Sequence, residues 1–137
     1  MKKLLIFGFV LLLALTGIHV VQSAEEKRVS DESGPMISHD VYFTLKQNSP
    51  ESRKKLVDAC TKYLTHHPGA TFFAAGSRDP AFNRDVNVKD WDVGLHVVFK
   101  NKAAHDKYQS SERHQQFIKE NRENWQKVQV FDTQFEE

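Results

Sequence analysis

The sequence predicts an α+β domain in which four strands form one antiparallel sheet and the helices lie on one face of that sheet. Three features of the chain predict this class. Some stretches alternate apolar and polar residues with period two, as strands do. Others carry apolar residues at helical spacing, between capping residues and glycine or proline. The order of these elements is strand, helix, strand, strand, helix pair, strand.

The length and composition of the chain indicate a single folded domain. It has 137 residues, of which 39% are hydrophobic and 27% are charged, a balance that argues against disorder. The net charge is +1, without the clustered basic residues that a nucleic-acid surface requires. Cys60 is the only cysteine, so no disulfide can form within the chain. Its place in an apolar helical pattern favours an inert core thiol.

The N-terminal segment has the three parts of a secretory signal peptide. A basic start at residues 1–3 precedes an almost wholly apolar run at residues 4–21. Small residues follow, so we expect cleavage after Ser23 or Ala24. This predicts a protein exported to the periplasm or secreted, with no membrane attachment once residues 1–23 are removed. An uncleaved anchor is the alternative, because the apolar run approaches the length that spans a bilayer.

Residues 24–36 are polar, charged and punctuated by Gly34-Pro35, so we interpret them as a disordered leader. The folded domain is expected at residues 37–133, and residues 134–137 are expected to form a tail.

The first strand and the first helix have clear boundaries. Residues 37–46 alternate strictly and predict a strand. Ser49 is then a candidate N-cap and Pro50 occupies the first helical position. The apolar stripe that follows stops at Pro68-Gly69.

A short strand at residues 70–75 leads into a long polar loop at residues 77–89. A loop of this length favours a lid or a partner contact. Arg78 and Arg84 are its candidate anion-binding residues, although solvated surface charges are the simpler interpretation.

The third strand and the helix pair form the most informative part of the chain. Residues 91–99 alternate and predict a strand. Asn101 can cap a helix that ends near Tyr108, and Ser111 can cap a second helix whose stripe runs to Trp125.

A last strand at residues 128–133 completes a ferredoxin-like, split β-α-β arrangement. The helices are expected to cover the face that carries Val41, Phe43, Leu95 and Val97. The opposite face carries Tyr42, Thr44, His96, Val98 and Phe131. Because that second face is too apolar to leave wet, we expect a symmetric homodimer through this outer face of the sheet.

The helix break predicts a site. Tyr108 and His114 are six residues apart, about 240° on a continuous helix, so they converge only if the break redirects the chain. His39 shares the helix-facing side of the first strand. An apolar cleft with a few convergent polar groups is the usual form of a small-ligand site. The expected apolar lining is Val41, Phe43, Val93, Leu95 and Trp125.

A plainer interpretation fits the spacing as well, and spacing alone favours it. His39 would cap a strand end, His114 would cap a helix or bond a backbone carbonyl, and Tyr108 would pack with its hydroxyl at the rim. Adjacent His66 and His67 point in different directions on a helix and do not suggest a metal site. No metal and no cofactor are expected.

Several motifs resemble the stress-responsive A/B barrel (Dabb) domain family over residues 37–133. The most specific are the first-strand His39, the D-x-x-L-x-V-x-F strand from Asp92 to Phe99, the Y-x5-H segment from Tyr108 to His114, and the closing V-F-D from Val130 to Asp132. The resemblance implies a dimeric α+β barrel.

The family includes a plant polyketide cyclase, and its acid/base pair resembles Tyr108 and His114. By that resemblance His114 would be the base, Tyr108 the orienting or acid group, and His39 the matching strand histidine. A further histidine of the cyclase falls at Val93 here, so the cyclase reaction is not carried over.

Four functions follow as hypotheses. The first is an exported, dimeric protein that binds a small apolar or aromatic ligand and acts in a stress response. The second is a cyclase-like or isomerase-like enzyme that uses the His/Tyr pair. The third is oxygenase or haem chemistry of the kind found in related ferredoxin-like dimers. The fourth is a structural envelope protein without a ligand.

Overall fold

A computed structural model of the chain describes residues 33–136. The predicted signal peptide, residues 1–23, and residues 24–32 of the predicted leader lie outside the described residues. Within the described part, no helix has both the length and the apolar character needed to cross a membrane.

One four-stranded antiparallel sheet organises the fold. Its strands are β1 (Ile37–Leu45), β2 (Ala70–Ser77), β3 (Val93–Phe99) and β4 (Trp125–Gln134). Their spatial order is β2-β3-β1-β4, and every neighbouring pair is antiparallel. The first and last strands of the chain therefore lie side by side. This is the ferredoxin-like α+β arrangement that the order of elements predicts, and that prediction is confirmed.

Within residues 33–136, three helices complete the domain: α1 (Pro50–Leu64), α2 (Lys102–Ser110) and α3 (Glu112–Asn121). A 3-10 turn at Arg122–Asn124 then leads into β4. Each helix begins at a residue whose side chain accepts a hydrogen bond from the first turn, as the sequence predicts. These three caps are Ser49, Asn101 and Ser111.

The helices cover one face of the sheet, which we call the inner face. Its central side chains are buried with those of the helices in one apolar core, which includes Val41, Phe43, Leu56, Cys60, Leu95, Val97 and Phe117. The other face, which we call the outer face, carries Tyr42, Phe72, His96, Val98 and Phe131, as the strand registers require. The expected division of the sheet into two faces is therefore observed.

The turn between α1 and β2 depends on Gly69. Its φ is +81°, in the left-handed region that favours glycine. An added Cβ would lie 2.5 Å from the Cβ of Ala104, in the first turn of α2. The Gly69 carbonyl also accepts a hydrogen bond from the backbone N–H of Lys100 at 2.8 Å. Gly69 thus lets the turn pack directly against the start of α2.

The third strand begins at Val93 rather than at Trp91, which corrects the predicted boundary. Asp92 precedes it with a buried side chain. Its carboxylate accepts hydrogen bonds from the backbone N–H of Leu45, at 2.8 Å, and from the side-chain amide of Asn48. Because these bonds fix Asp92 as a connector to the end of β1, regular pairing starts only after it.

The prediction that Trp125 continues the stripe of the last helix is wrong. Helix α3 ends at Asn121, and the 3-10 turn brings Trp125 into the sheet, where it pairs with Leu45. Strand β4 therefore starts three residues before the predicted 128 and extends into the expected tail as far as Gln134.

Candidate functional site

The junction between α2 and α3 directs Tyr108 and His114 toward each other. Ser111 adopts an extended conformation there, with φ −67° and ψ 146°. Its hydroxyl donates to the Tyr108 carbonyl at 2.7 Å and accepts from the backbone N–H of His114 at 3.3 Å. The Tyr108 and His114 rings consequently lie with their centroids 4.7 Å apart. A single continuous helix would hold these rings on different sides.

His39 joins this pair from the sheet. It lies near the start of β1 on the inner face and is buried. Its ring meets the Tyr108 ring edge-on, with centroids 5.7 Å apart. The structure therefore brings together the three polar residues singled out from the sequence.

Tyr108 is the most enclosed member of the group. Only 1% of its surface is exposed, and its hydroxyl finds no hydrogen-bond partner among residues 33–136. Burial raises the pKa of the phenol, and the nearby Cys60 thiol adds to the effect. The hydroxyl therefore lies in the interior rather than at a rim and stays protonated at neutral pH. Burial also raises the pKa of Cys60 to about 12, as expected of an unreactive core thiol.

His114 is held as a neutral imidazole. Burial lowers its pKa to about 4, although the hydrogen bond to the Gln109 carbonyl opposes the shift. That bond joins Nδ1 to the carbonyl oxygen at 3.1 Å, so Nδ1 carries the proton. The other ring nitrogen, Nε2, is then a lone-pair acceptor.

His39 is oriented by a carboxylate on the neighbouring strand. Its Nδ1 donates to Oδ1 of Asp132 at 2.6 Å. The two residues are direct partners in the register of β1 and β4. Burial lowers the pKa of His39, and the bond to Asp132 opposes that shift.

Four further polar residues surround the group, and the sequence analysis did not assign them to the site. His67 lies edge-on to Tyr108 with ring centroids 4.8 Å apart, and His105 meets His39 at 5.1 Å. The side-chain nitrogen of Gln109 lies 3.2 Å from Nε2 of His105 and 3.5 Å from Nε2 of His39. Asp132, already described, is the fourth. Pairing the closing V-F-D segment with the first strand would have placed Asp132 beside His39.

The five residues expected to line the pocket do not all lie near these rings. Four of them, Val41, Phe43, Val93 and Leu95, are almost fully buried in the core. Trp125 pairs with Leu45, six residues along β1 from His39, so it lies toward the other end of the strand. Its indole packs against Phe43, with ring centroids 5.1 Å apart.

Two cavities of the described residues lie away from the three rings. One, of about 390 Å³, opens beside Trp125 between the end of β1 and the start of α1. The other, of about 440 Å³, lies on the outer face between Tyr42, Trp91 and Phe131, under the loop at Val86–Val88. That loop also contains Arg84, whose guanidinium donates to the side chain of Asn87.

Solved structures with the same fold have been described in several organisms. A Dabb family protein with a ferredoxin-like fold from Mesorhizobium loti is 24% identical, has a TM-score of 0.64, and the match covers 76% of this chain and 100% of that one. A dimeric ferredoxin-like protein of unknown function from Thermobifida fusca is 13% identical, with a TM-score of 0.61 and coverage of 75% and 93%.

A third similar structure is the hydroxynitrile lyase from Passiflora edulis, which is 16% identical with a TM-score of 0.62. The match covers 77% of this chain and 97% of the lyase. At these identities the likeness shows the fold alone. No curated protein sequence matches the chain.

A match to a family model establishes the family of this chain. The model of the stress responsive A/B barrel domain matches residues 37–135, which is most of the chain and includes every element of the sheet. The chain therefore belongs to the stress responsive A/B barrel (Dabb) domain family.

Proposed function

We propose that this protein is an exported homodimer that binds a small apolar or aromatic ligand carrying a hydroxyl or carbonyl group. The polar contacts to the ligand come from Tyr108, His114 and His39. The stress response named in the family description is the context in which we place this binding.

The buried hydroxyl of Tyr108 is the observation that carries the proposal. A buried donor without a partner destabilises a protein by about 1–3 kcal/mol, so native proteins keep few of them. In this protein the ring that carries the unpartnered hydroxyl contacts the nitrogen-bearing rings of His39 and His114. A ligand oxygen placed there would accept the missing hydrogen bond.

The neighbouring histidine supplies the complementary contact. His114 is neutral, with its proton on Nδ1, so Nε2 can accept a hydrogen bond from a ligand hydroxyl. A donor and an acceptor beside each other suit a phenol or a hydroxy-ketone better than a charged ligand. The ligand would approach from the edge where Asp132, with 48% of its side chain exposed, meets the buried rings.

The homodimer part of the proposal rests on the outer face. Tyr42 is edge-on to Trp91, His96 and Phe131 there, with ring centroids 4.9–6.0 Å apart. Phe72 and Phe131 are more than half exposed. An apolar face of this kind is usually buried by a partner. The similar protein from Thermobifida fusca is described as dimeric.

The export part of the proposal rests on residues 1–23 alone. Cell fractionation and the mass of the purified protein test it. A chain found in the cytoplasm with its original N-terminus would contradict export.

Thermal unfolding with a panel of phenols, aromatic ketones and polyketide-like compounds tests the binding proposal. At least one compound class should raise the melting temperature of the wild-type protein, and His114→Ala should reduce that rise. His66→Asn is the matched control, because His66 is exposed and has a φ of +55° that asparagine tolerates. If no compound shifts the wild type, the protein is better described as a structural dimer.

An acid/base enzyme is the second candidate function. The opposite protonation of the two groups favours it, since Tyr108 can donate a proton while His114 can accept one. The enzyme proposal requires that His114→Ala and Tyr108→Phe each abolish any turnover found with the same compounds. A retained rate in both variants would move the chemistry elsewhere. A coloured protein after purification would instead favour a haem or flavin.

A further inference from the structure

We propose that His39, His105 and Asp132 form a binding site for a divalent first-row transition-metal ion. The site shares His39 with the proposed ligand site, but its binding of an ion does not require a ligand there. It departs from the expectation that the chain carries no metal.

Three different elements bring these side chains together. His39 comes from β1, Asp132 from the neighbouring β4, and His105 from the first half of α2. One ligand atom from each residue lies within 4.8 Å of the others. This is the one group of three or more His, Cys, Asp or Glu side chains with such spacing in the described part of the chain.

The distances suit a metal ion better than a hydrogen bond for one of the pairs. Nε2 of His105 lies 3.6 Å from Oδ1 of Asp132, which is too long for a hydrogen bond. It is close to the spacing of about 3.3 Å between two ligand atoms around a tetrahedral ion with bonds of about 2.0–2.1 Å. The shorter His39–Asp132 contact, at 2.6 Å, would open by about 0.7 Å when an ion replaces the shared proton.

The donor set selects the kind of ion. Two imidazoles and one carboxylate combine borderline nitrogen donors with one negative charge, which suits Zn²⁺, Fe²⁺ and similar ions rather than Ca²⁺ or Mg²⁺. A bound Zn²⁺ would be four-coordinate. A bound Fe²⁺ would be six-coordinate, with positions left open for water or a substrate.

His105 already has the support that a metal-binding histidine usually has. Its Nδ1 lies 3.4 Å from Oδ1 of Asp106, while Nε2 points toward Asp132. Asp106 is itself paired with Lys102 at 2.6 Å. A carboxylate on the second ring nitrogen fixes the tautomer and raises the basicity of the ligating one.

Gln109 and solvent are available to complete the coordination. The Gln109 amide nitrogen lies 3.2 Å from Nε2 of His105, which is the proposed ligand atom of that residue, and a flip would turn the amide oxygen toward the ion. The side chain of Asp132 is 48% exposed, whereas that of His39 is only 4% exposed. The ion can therefore enter from one side and keep a water or a substrate atom as a further ligand.

Titration of the purified protein with Co²⁺ and Zn²⁺ tests the proposal. The full-length chain is expressed without a histidine tag and stripped with a chelator before calorimetry and visible absorption. One ion should bind per chain. An intense Co²⁺ spectrum assigns four-coordinate, zinc-type geometry, and a weak spectrum assigns six-coordinate, iron-type geometry.

Substitutions at the proposed ligands should remove this binding. His105→Ala and the isosteric Asp132→Asn should each abolish one-to-one binding, and Asp106→Asn should weaken it roughly 10-fold or more. The melting temperature of each metal-free variant checks that it is folded. Metal binding is measured by Co²⁺ and Zn²⁺ titration without any organic compound, and ligand binding by thermal shift of the metal-free protein, so failure of one proposal is distinguishable from failure of the other.

The chain offers a matched control on the outer face. His96 and Asp40 form a histidine–aspartate pair at 2.7 Å, close in length to that of His39 and Asp132, but without a third ligand. His96→Ala should therefore bind the ion as the wild type does. Equal binding in His105→Ala, Asp132→Asn and the wild type, or no binding in the wild type, would overturn the proposal.

Discussion

The rings of Tyr108 and His114 lie 4.7 Å apart although six residues separate them, because the chain breaks its helix at Ser111. Two short helices therefore bring together two rings that one continuous helix would hold on different sides. The side chain of Ser111 bonds both sides of the break, through the Tyr108 carbonyl and the His114 N–H. The Ser111 hydroxyl thus links the two helices that carry the candidate site residues.

Replacement of Ser111 by alanine should destabilise the protein by about 1 kcal/mol, since it removes the cap of α3. It should also weaken the binding of any ligand that stabilises the wild type. Urea denaturation measures the first effect and thermal shift the second. Ser110→Ala is the control, because the Ser110 hydroxyl bonds carbonyls within its own exposed turn. Similar losses in both variants would contradict a special role for Ser111.

Replacement of Tyr108 by phenylalanine should leave the ligand-free protein as stable as before or more stable, by up to about 1 kcal/mol. The change removes a buried hydroxyl that has no partner among the described residues. The same variant should lose most of the ligand-induced rise in melting temperature. Tyr63→Phe is the matched control, because the Tyr63 hydroxyl is exposed and bonds Glu120. The free energy of unfolding of this variant should differ from that of the wild type by less than about 0.5 kcal/mol. A clear loss of stability in Tyr108→Phe would mean that the hydroxyl has a partner.

The stability of the protein should fall as the pH drops from about 6.5 to about 4. His114 has an ordinary pKa of 6.5 when unfolded and about 4 when folded, so only the unfolded chain binds its proton in this interval. His39 is shifted in the same direction by burial. Above pH 6.5 the His114 imidazole is neutral in both the folded and the unfolded chain, so its protonation no longer lowers the stability.

Denaturation at several pH values measures this dependence. His114→Gln should flatten the slope between pH 6.5 and 4, while His66→Asn should leave it unchanged. The carboxylates whose pKa values are lowered by folding, such as those of Asp106 and Glu120, stabilise the protein until they are protonated, which happens at lower pH. An unaltered slope in His114→Gln would show that other groups cause it.

A charge on the outer face should dissociate the proposed dimer. Phe131 and Val130 are neighbours on β4 with similar exposure, 53% and 49%, but they lie on opposite faces of the sheet. Phe131→Asp should give a monomer in sedimentation equilibrium, because it would bury a carboxylate without a partner at the interface. Val130→Asp should remain dimeric. The reverse result would place the interface on the inner face.

Local patterns in the sequence predict most of the fold. Strict alternation locates β1 and most of β3, and Ser49, Asn101 and Ser111 predict the starts of the three helices. The failure at Trp125 has a simple cause. Its spacing from Asn121 is helical, and nothing local reveals the 3-10 turn that separates them.

The candidate site is predictable only in part. Tyr108 and His114 are close in sequence, so a single helix break suffices to bring them together. His105 and Asp132 meet His39 only because β4 pairs with β1 and α2 crosses above them. Such contacts depend on sheet order, which periodicity does not encode. The buried position of the Tyr108 hydroxyl depends on packing and is likewise invisible in the spacing.

Gly69 is not one of the candidate site residues, yet the placement of Tyr108 depends on it. A side chain at this position would collide with Ala104 and push the first turn of α2 away from the sheet. Tyr108 lies one turn further along α2, so a displacement of the first turn would also displace the Tyr108 side chain. A Gly69→Ala substitution would therefore change the position of the Tyr108 phenol without altering any site residue. Natural or engineered variation at this turn is thus a way to change the site from outside it.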